Sequence, residues 1–198
     1  MIKNLVLDMG NVLLDYDPTV PLRKFLDKDE DRNIIYRELF MGPEWVQGDL
    51  GNITAEEKFE SISRRIPERL HEGLRNCMDG WHLFMPRVKG ALEFLMQARK
   101  EGYRLYVLSN ASDEFYIYFP KHYDTAMFEG IVVSADLHMI KPDERIYRYL
   151  LERYELVPEE TLFIDDRPEN VRGARRAGIR SVIFQNNFDE IKGQYQLW

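Results

Sequence analysis

The chain has 198 residues, 44% hydrophobic and 31% charged, which suits one domain or one core with an inserted subdomain and excludes general disorder. A net charge of −7 argues against a general nucleic-acid binder, whose contact face is basic. No stretch approaches the ~20 apolar residues that cross a bilayer, and the single cysteine, Cys77, leaves no intrachain disulfide. These features are read as a soluble cytoplasmic protein. No secretory leader is read at the amino terminus, because Asp8 interrupts the short first apolar run. Cys77 has no motif around it and is read as a packing residue. His71, His82, His122 and His138 show no zinc-ligand spacing.

The first predicted element is an apolar strand, Asn4-Leu7, which delivers Asp8 to the point where Gly10-Asn11 ends it. Desolvating a charge after a buried strand costs several kcal/mol unless it is paired. At the carboxyl end of a strand in an open parallel sheet, however, it stands where ligands bind. Asp15 to Pro86 holds no strand-like run, only helical patterns at Val20–Asp27, Arg32–Phe40 and Thr54–Arg65, the last opened by a Thr54-Ala-Glu-Glu57 capping box. A direct crossover needs about a dozen residues, so this interval of about seventy is an insertion. The chain thus divides into an α/β core, residues 1–15 and 86–198, and a helical cap, residues 16–85, hinged at Asp17-Pro18 and Met85-Pro86.

After the insertion, Arg87–Lys100 repeats apolar residues at Val88, Leu92, Leu95 and Met96 and stops at Gly102. Strands follow at Arg104–Leu108, Gly130–Val133, Thr161–Ile164 and Ser181–Phe184. Their unbroken apolar runs suit strands covered on both faces. Helices are predicted between the later ones, at Asp143–Tyr154 and at Glu169–Ala177 before Gly178. The alternation implies a doubly wound, Rossmann-like parallel sheet with an inserted helical-bundle cap.

Four chemical features follow successive strands: Asp8, then Ser109-Asn110, then Lys141-Pro142, then Asp165-Asp166. In a parallel sheet these ends share one edge, so the groups should converge. Carboxylates at close quarters repel unless a cation stands among them. Oxygen ligands without His or Cys suit Mg²⁺, which also takes phosphate oxygens. A hydroxyl, an amide N–H and a lysine are the donors that a transferring phosphoryl group needs, and a carboxylate can itself attack phosphorus.

This order resembles the haloacid dehalogenase superfamily of phosphatases with a helical cap, over essentially the whole chain. Asp8-Met-Gly-Asn-Val with Leu-Ser109-Asn110 is similar to its α-D-glucose-1-phosphate phosphatase-like branch. The resemblance implies a nucleophile at Asp8, phosphate binding by Ser109 and Asn110, and charge neutralisation by Lys141. It implies Mg²⁺ held by Asp8, the backbone carbonyl of Gly10 and Asp166, with Asp165 holding a metal-bound water. Gly10 departs from the family's majority pattern, which carries a second aspartate there to protonate the leaving alcohol. Such assistance is worth ~10²–10⁴-fold. Asp15, Asp17 and a metal-bound water are the candidate substitutes; hinge or capping roles are the default for the two aspartates. Asn170 is read as orienting the metal loop and Arg167 as a solvated charge.

The expected activity is Mg²⁺-dependent hydrolysis of a small phosphorylated metabolite, a sugar phosphate first, by a monomer or weak homodimer. Alternatives on the same fold are a phosphomutase, a 2-haloacid dehalogenase, or a binding or regulatory protein with attenuated chemistry. For specificity, Trp45, the loop Gly48-Asp-Leu-Gly51 and the aromatic run Phe115–Pro120 are the candidates near the crevice, with packing the default for the aromatics.

Overall fold

The structure is a computed structural model describing residues 1–198. Five parallel strands, β1 (Asn4–Leu7), β2 (Arg104–Ser109), β3 (Gly130–Val133), β4 (Thr161–Asp165) and β5 (Arg180–Ile183), form one sheet of order β3-β2-β1-β4-β5. The order reverses beside β1, where the chain crosses from β3 to β4 and opens a crevice at the strands' carboxyl ends. In register, Leu7 of β1 stands between Val107 of β2 and Ile164 of β4. The residues that follow on each strand therefore emerge side by side.

Strand side chains alternate between two apolar layers. Leu5, Leu7, Leu105, Val107, Leu162 and Ile164 face the larger layer. It receives Phe94 and Leu95 of α6 (Ala91–Lys100) and Phe188 and Ile191 of α10 (Phe188–Tyr195). Val6, Tyr106, Leu108 and Phe163 face the other, packed by Ile146, Tyr147 and Leu150 of α8 (Glu144–Arg153) and Ala174 of α9 (Pro168–Arg176). Asp143 caps α8 by accepting from the Arg145 N–H.

The interval between β1 and β2 contains no strand. It folds into α1 (Thr19–Phe25), α2 (Asp29–Ile35), α3 (Pro43–Asp49), α4 (Ala55–Ser63) and α5 (His71–Gly80). The Thr54–Glu57 capping box forms as the sequence predicts. The chain leaves and re-enters through a short paired stem: Asp15 N–H donates to the Pro86 carbonyl at 2.8 Å and Val88 N–H to the Leu13 carbonyl at 2.9 Å.

Several local expectations change. The predicted helix from Arg87 begins at Ala91, because Gly90 takes φ +81° and turns the chain first. Its buried stripe is Ala91, Phe94, Leu95 and Ala98, and Met96 is exposed. Arg32–Phe40 is the end of α2 continued by a wider π turn at Tyr36–Phe40. Helix α10 lies in a segment where no element is predicted; it is capped by Asn187 and anchored by the stacking of Phe94 on Phe188 at 4.5 Å. Cys77 is fully buried and its thiol is pushed up to about 12 by that burial, which leaves it inert.

The insert carries its own ion pair, buried on the Glu44 side and exposed on the Arg65 side. Glu44 of α3 accepts from Arg65 at 2.6 and 2.9 Å and from the Ser61 hydroxyl at 2.6 Å. The Arg65 hydrogen bonds hold the Glu44 carboxyl down at about 2. A depressed carboxyl stabilises the fold above its unfolded range and loses that contribution as pH falls toward the folded value. Arg65→Met should therefore lower stability in urea melts at neutral pH by about 1–2 kcal/mol, a range reduced for the partial exposure of Arg65. The deficit should narrow as pH falls through the carboxylate range.

Candidate active site

The carboxyl ends of β1 and β4 place Asp8 next to Asp165 and Asp166. One carboxylate oxygen from each can be chosen so that all three lie within 4.8 Å of one another. Asp8 is buried, its N–H donates to Ile164 O at 2.9 Å, and its Oδ1 accepts from the Met9 N–H at 2.7 Å. Lys141, brought in by the loop after β3, is equally buried. Its Nζ meets Asp8 Oδ1 at 2.7 Å, Asp165 Oδ2 at 2.8 Å and the Leu108 carbonyl at 2.8 Å. All three ammonium protons are thus directed to acceptors.

Burial works against the charge on Lys141, but Asp165 and Asp8 outweigh it and raise its pKa, so it stays protonated. Asp8 is raised above the ordinary carboxylate range, first by burial and then by Asp165 and Asp166, with Lys141 partly offsetting them. Three carboxylates thus stand against one ammonium. A divalent cation would balance the remaining charge, and oxygen donors alone suit Mg²⁺.

The two adjacent aspartates differ in what they can still bind. Asp165 is fully buried. Its Oδ1 accepts from the Arg167 N–H and the Asn170 amide, and its Oδ2 from Lys141 and the same amide, at 2.8 to 3.1 Å. Asp166 is only partly buried and lines the cleft, accepting one bond, at 3.1 Å, from Asn11 Nδ2. Its carboxyl is raised, first by burial. Free coordination capacity therefore lies on Asp166, while Asp165 fixes Lys141 and the loop.

Ser109 is buried at the end of β2, and its Oγ has no hydrogen-bond partner. A buried hydroxyl without a partner is costly unless a ligand supplies one. Asn110 commits both ends of its amide to Lys141, accepting from its N–H at 2.8 Å and donating to its carbonyl at 2.9 Å. This leaves the backbone of Asn110 to meet an anion. Gly10 lines the cleft, and a Cβ built there meets nothing within 4 Å, so space exists for a side chain that the chain lacks. Asp15 and Asp17 are both exposed and outside the cleft lining, and Asp17 accepts from the Thr19 N–H at 2.8 Å. Arg167 sits at the rim, paired with Glu169 at 2.6 Å.

Asn11 is a participant that the motif reading passes over. It adopts φ +55°, a conformation Asn tolerates better than most residues. There it donates to Asp166 and accepts from the Tyr16 N–H at 2.9 Å, tying the first loop to the fourth strand. Asn following Gly at a strand end was the available signal.

The cleft encloses about 610 Å³ between the sheet edge and the insert. Its apolar wall is built by Tyr16, Phe40, Trp45 and Trp81, with Trp45 and Trp81 meeting edge-on at 5.2 Å. Lys58 stands over Trp45 at 5.1 Å. The aromatic run after β2 forms the one-turn helix α7 (Phe115–Tyr118), of which only Tyr118 lines the cleft; Phe115, and Phe119 beyond it, are buried in the core.

A carboxylate–lysine centre at the switch point of a parallel sheet, roofed by a helical insert, defines a class of α/β hydrolytic enzymes. The chain belongs to the haloacid dehalogenase-like hydrolases, whose family model matches residues 48–184. It is 28% identical to a drimenol cyclase of Aspergillus calidoustus over 98% of its own length, but spans only 36% of that protein. It is also 28% identical to a sesquiterpene phosphatase of Aspergillus oryzae, covering 89% of this chain and 87% of the relative. Among solved structures, a haloacid dehalogenase family enzyme of Bacteroides thetaiotaomicron, crystallised with magnesium and inorganic phosphate, superposes with a TM-score of 0.77. That pair shares 25% identity over 96% of this chain and 99% of the other.

Outer partners of ligating carboxylates typically contribute 10- to 100-fold in metal affinity. Asn11→Ala should therefore weaken Mg²⁺ binding by about tenfold or more in calorimetric titration, while Asp166→Ala should remove it.

Proposed function

We propose that the protein is a Mg²⁺-dependent phosphatase that hydrolyses a small phosphomonoester through a phosphoryl-enzyme intermediate on Asp8. The carrying observation is the Asp8–Lys141 contact at 2.7 Å beside the Asp165-Asp166 pair, with the partnerless Ser109 hydroxyl on the neighbouring strand. Asp8, Asp166 and the Gly10 carbonyl would hold Mg²⁺, with Asp165 behind them. Bound there, the ion offsets the charge of carboxylates and phosphate together.

The chain's own groups perform the rest. Lys141 keeps Asp8 in place and offsets charge as carboxylate and phosphate approach. Ser109 Oγ and the backbone at Asn110 receive phosphoryl oxygens. Asp8 attacks phosphorus, the bond to the leaving oxygen breaks, and water later releases phosphate. Residues 16–85 serve as a cap whose aromatic wall selects the alcohol.

A sugar phosphate is the preferred substrate class. Trp45 and Trp81 line the cleft with apolar surface that suits the C–H side of a sugar, while Asp49, Glu114 and Lys58 in the same cleft can meet hydroxyls. A wholly hydrocarbon group would desolvate these charges without pairing them, at a cost of several kcal/mol.

Purified protein should hydrolyse p-nitrophenyl phosphate with Mg²⁺ and lose that activity with EDTA or in Asp8→Asn. Turnover that survives either change sinks the mechanism. Among metabolites, hexose and pentose phosphates should rank above isoprenoid phosphates in a phosphate-release screen.

A further inference from the structure

The proposed reaction leaves an alkoxide to be protonated, and the position two residues after Asp8 is glycine. Two carboxylates other than the metal-site aspartates line the cleft, Asp49 and Glu114. Glu114 is engaged, its Oε2 facing Trp81 Nε1 and Ser112 Oγ, each at 3.4 Å. Asp49, the last residue of α3, has a carboxylate that no neighbouring group hydrogen-bonds; nearby charges act on it only through space.

Its backbone, by contrast, is clamped to the core. The Ser134 hydroxyl donates to Asp49 O at 2.5 Å, and His138 Nδ1 contacts Leu50 O at 2.7 Å. Gly51 closes the loop at φ +66°, so near the Ala135 carbonyl that a Cβ would stand 2.4 Å from its oxygen. Ser134 also meets the Ala111 backbone, accepting from its N–H at 3.0 Å, directly after the Ser109-Asn110 corner. The insert therefore holds an unpartnered carboxyl over the cleft by bonds to the segments that carry the proposed phosphate-binding groups.

We infer that Asp49 is the general acid–base residue, supplied by the helical insert in place of the carboxylate missing at Gly10. The assignment rests on the phosphatase reading. As Asp8 Oδ bonds to phosphorus and the ester P–O bond breaks, the Asp49 proton passes to the departing oxygen, giving the alcohol and an Asp49 carboxylate. That carboxylate then takes a proton from the water attacking the phosphoryl group, which regenerates Asp8, the Asp49 acid and free phosphate. Burial pushes the Asp49 carboxyl up to about 7, against the pull of Lys58, Lys141 and Arg167 and with the help of Glu114; Tyr16 and Tyr118 adjoin it as neutral groups. Near neutrality it is thus present in both forms that the two half-reactions require.

The test compares esters with good and poor leaving groups on the Mg²⁺-loaded enzyme. Asp49→Asn should lower kcat/KM for glycerol 2-phosphate by about 100-fold or more, while p-nitrophenyl phosphate changes by less than about fivefold. The wild-type rate on the alkyl ester should fall as pH rises above about 7, and this limb should flatten in Asp49→Asn. Gly10→Asp in the Asp49→Asn background should recover about tenfold or more on the alkyl ester. Equal losses on both esters, no loss on the alkyl ester, or appearance of the same selective loss in Glu114→Gln would each overturn the assignment. A wild-type protein inactive on both esters would instead bring down the phosphatase reading itself.

Discussion

A carboxylate taken out of water is costly unless something offsets its charge, and this fold brings three to the crevice beside β1 and β4. Lys141 answers one of them fully, through contacts to Asp8 and Asp165 that leave it almost no exposure. The rest of the architecture serves this imbalance. Asn170 and the Arg167 N–H hold Asp165 in place, Asn110 grips the backbone of Lys141, and Asn11 steadies Asp166. A centre short of positive charge is prepared for a divalent ion, and with it for a phosphate whose charge the ion and Lys141 share.

Much of this was legible in the sequence because β-structure and motif share one cause. The middle of each strand from β1 to β4 is apolar since helices cover both faces, and the chemistry sits at or beyond the end of each apolar run. Asp8, Ser109, Lys141 and Asp165-Asp166 could therefore be placed on one edge by pattern alone. What the pattern could not divide was labour within the site. Adjacent aspartates read identically in sequence, yet Asp165 is saturated with donors and Asp166 faces the cleft, because successive strand residues point opposite ways. The Asn110 side chain clamps the backbone of Lys141, a bond that its place after Ser109 does not announce.

The helical insert was legible as an interruption but not as a shape. Its helices are short, one widens into a π turn, and their packing depends on contacts distant in sequence, such as Glu44 with Arg65. Asp15 and Asp17 were the carboxylates nearest Gly10 along the chain, and sequence proximity proved a poor guide: both point to solvent. The cleft carboxyl left without a hydrogen bond comes from Asp49, thirty-nine positions beyond Gly10.

The paired stem at Leu13–Asp15 and Pro86–Val88 bears on how such a molecule diversifies. Its two segments are neighbours, so the chain enters and leaves the helical unit at one place, a further tie of the unit to the core being the Asp49–Gly51 corner, and its replacement need not disturb β1 or the ladder beyond it. Selection for a new alcohol could act on the roof alone while the phosphate end stays fixed. With Asp49 part of that roof, an exchanged insert would carry away proton transfer along with specificity. Lineages that kept the acid beside the nucleophile would be free of this bond between what is accepted and how fast it reacts.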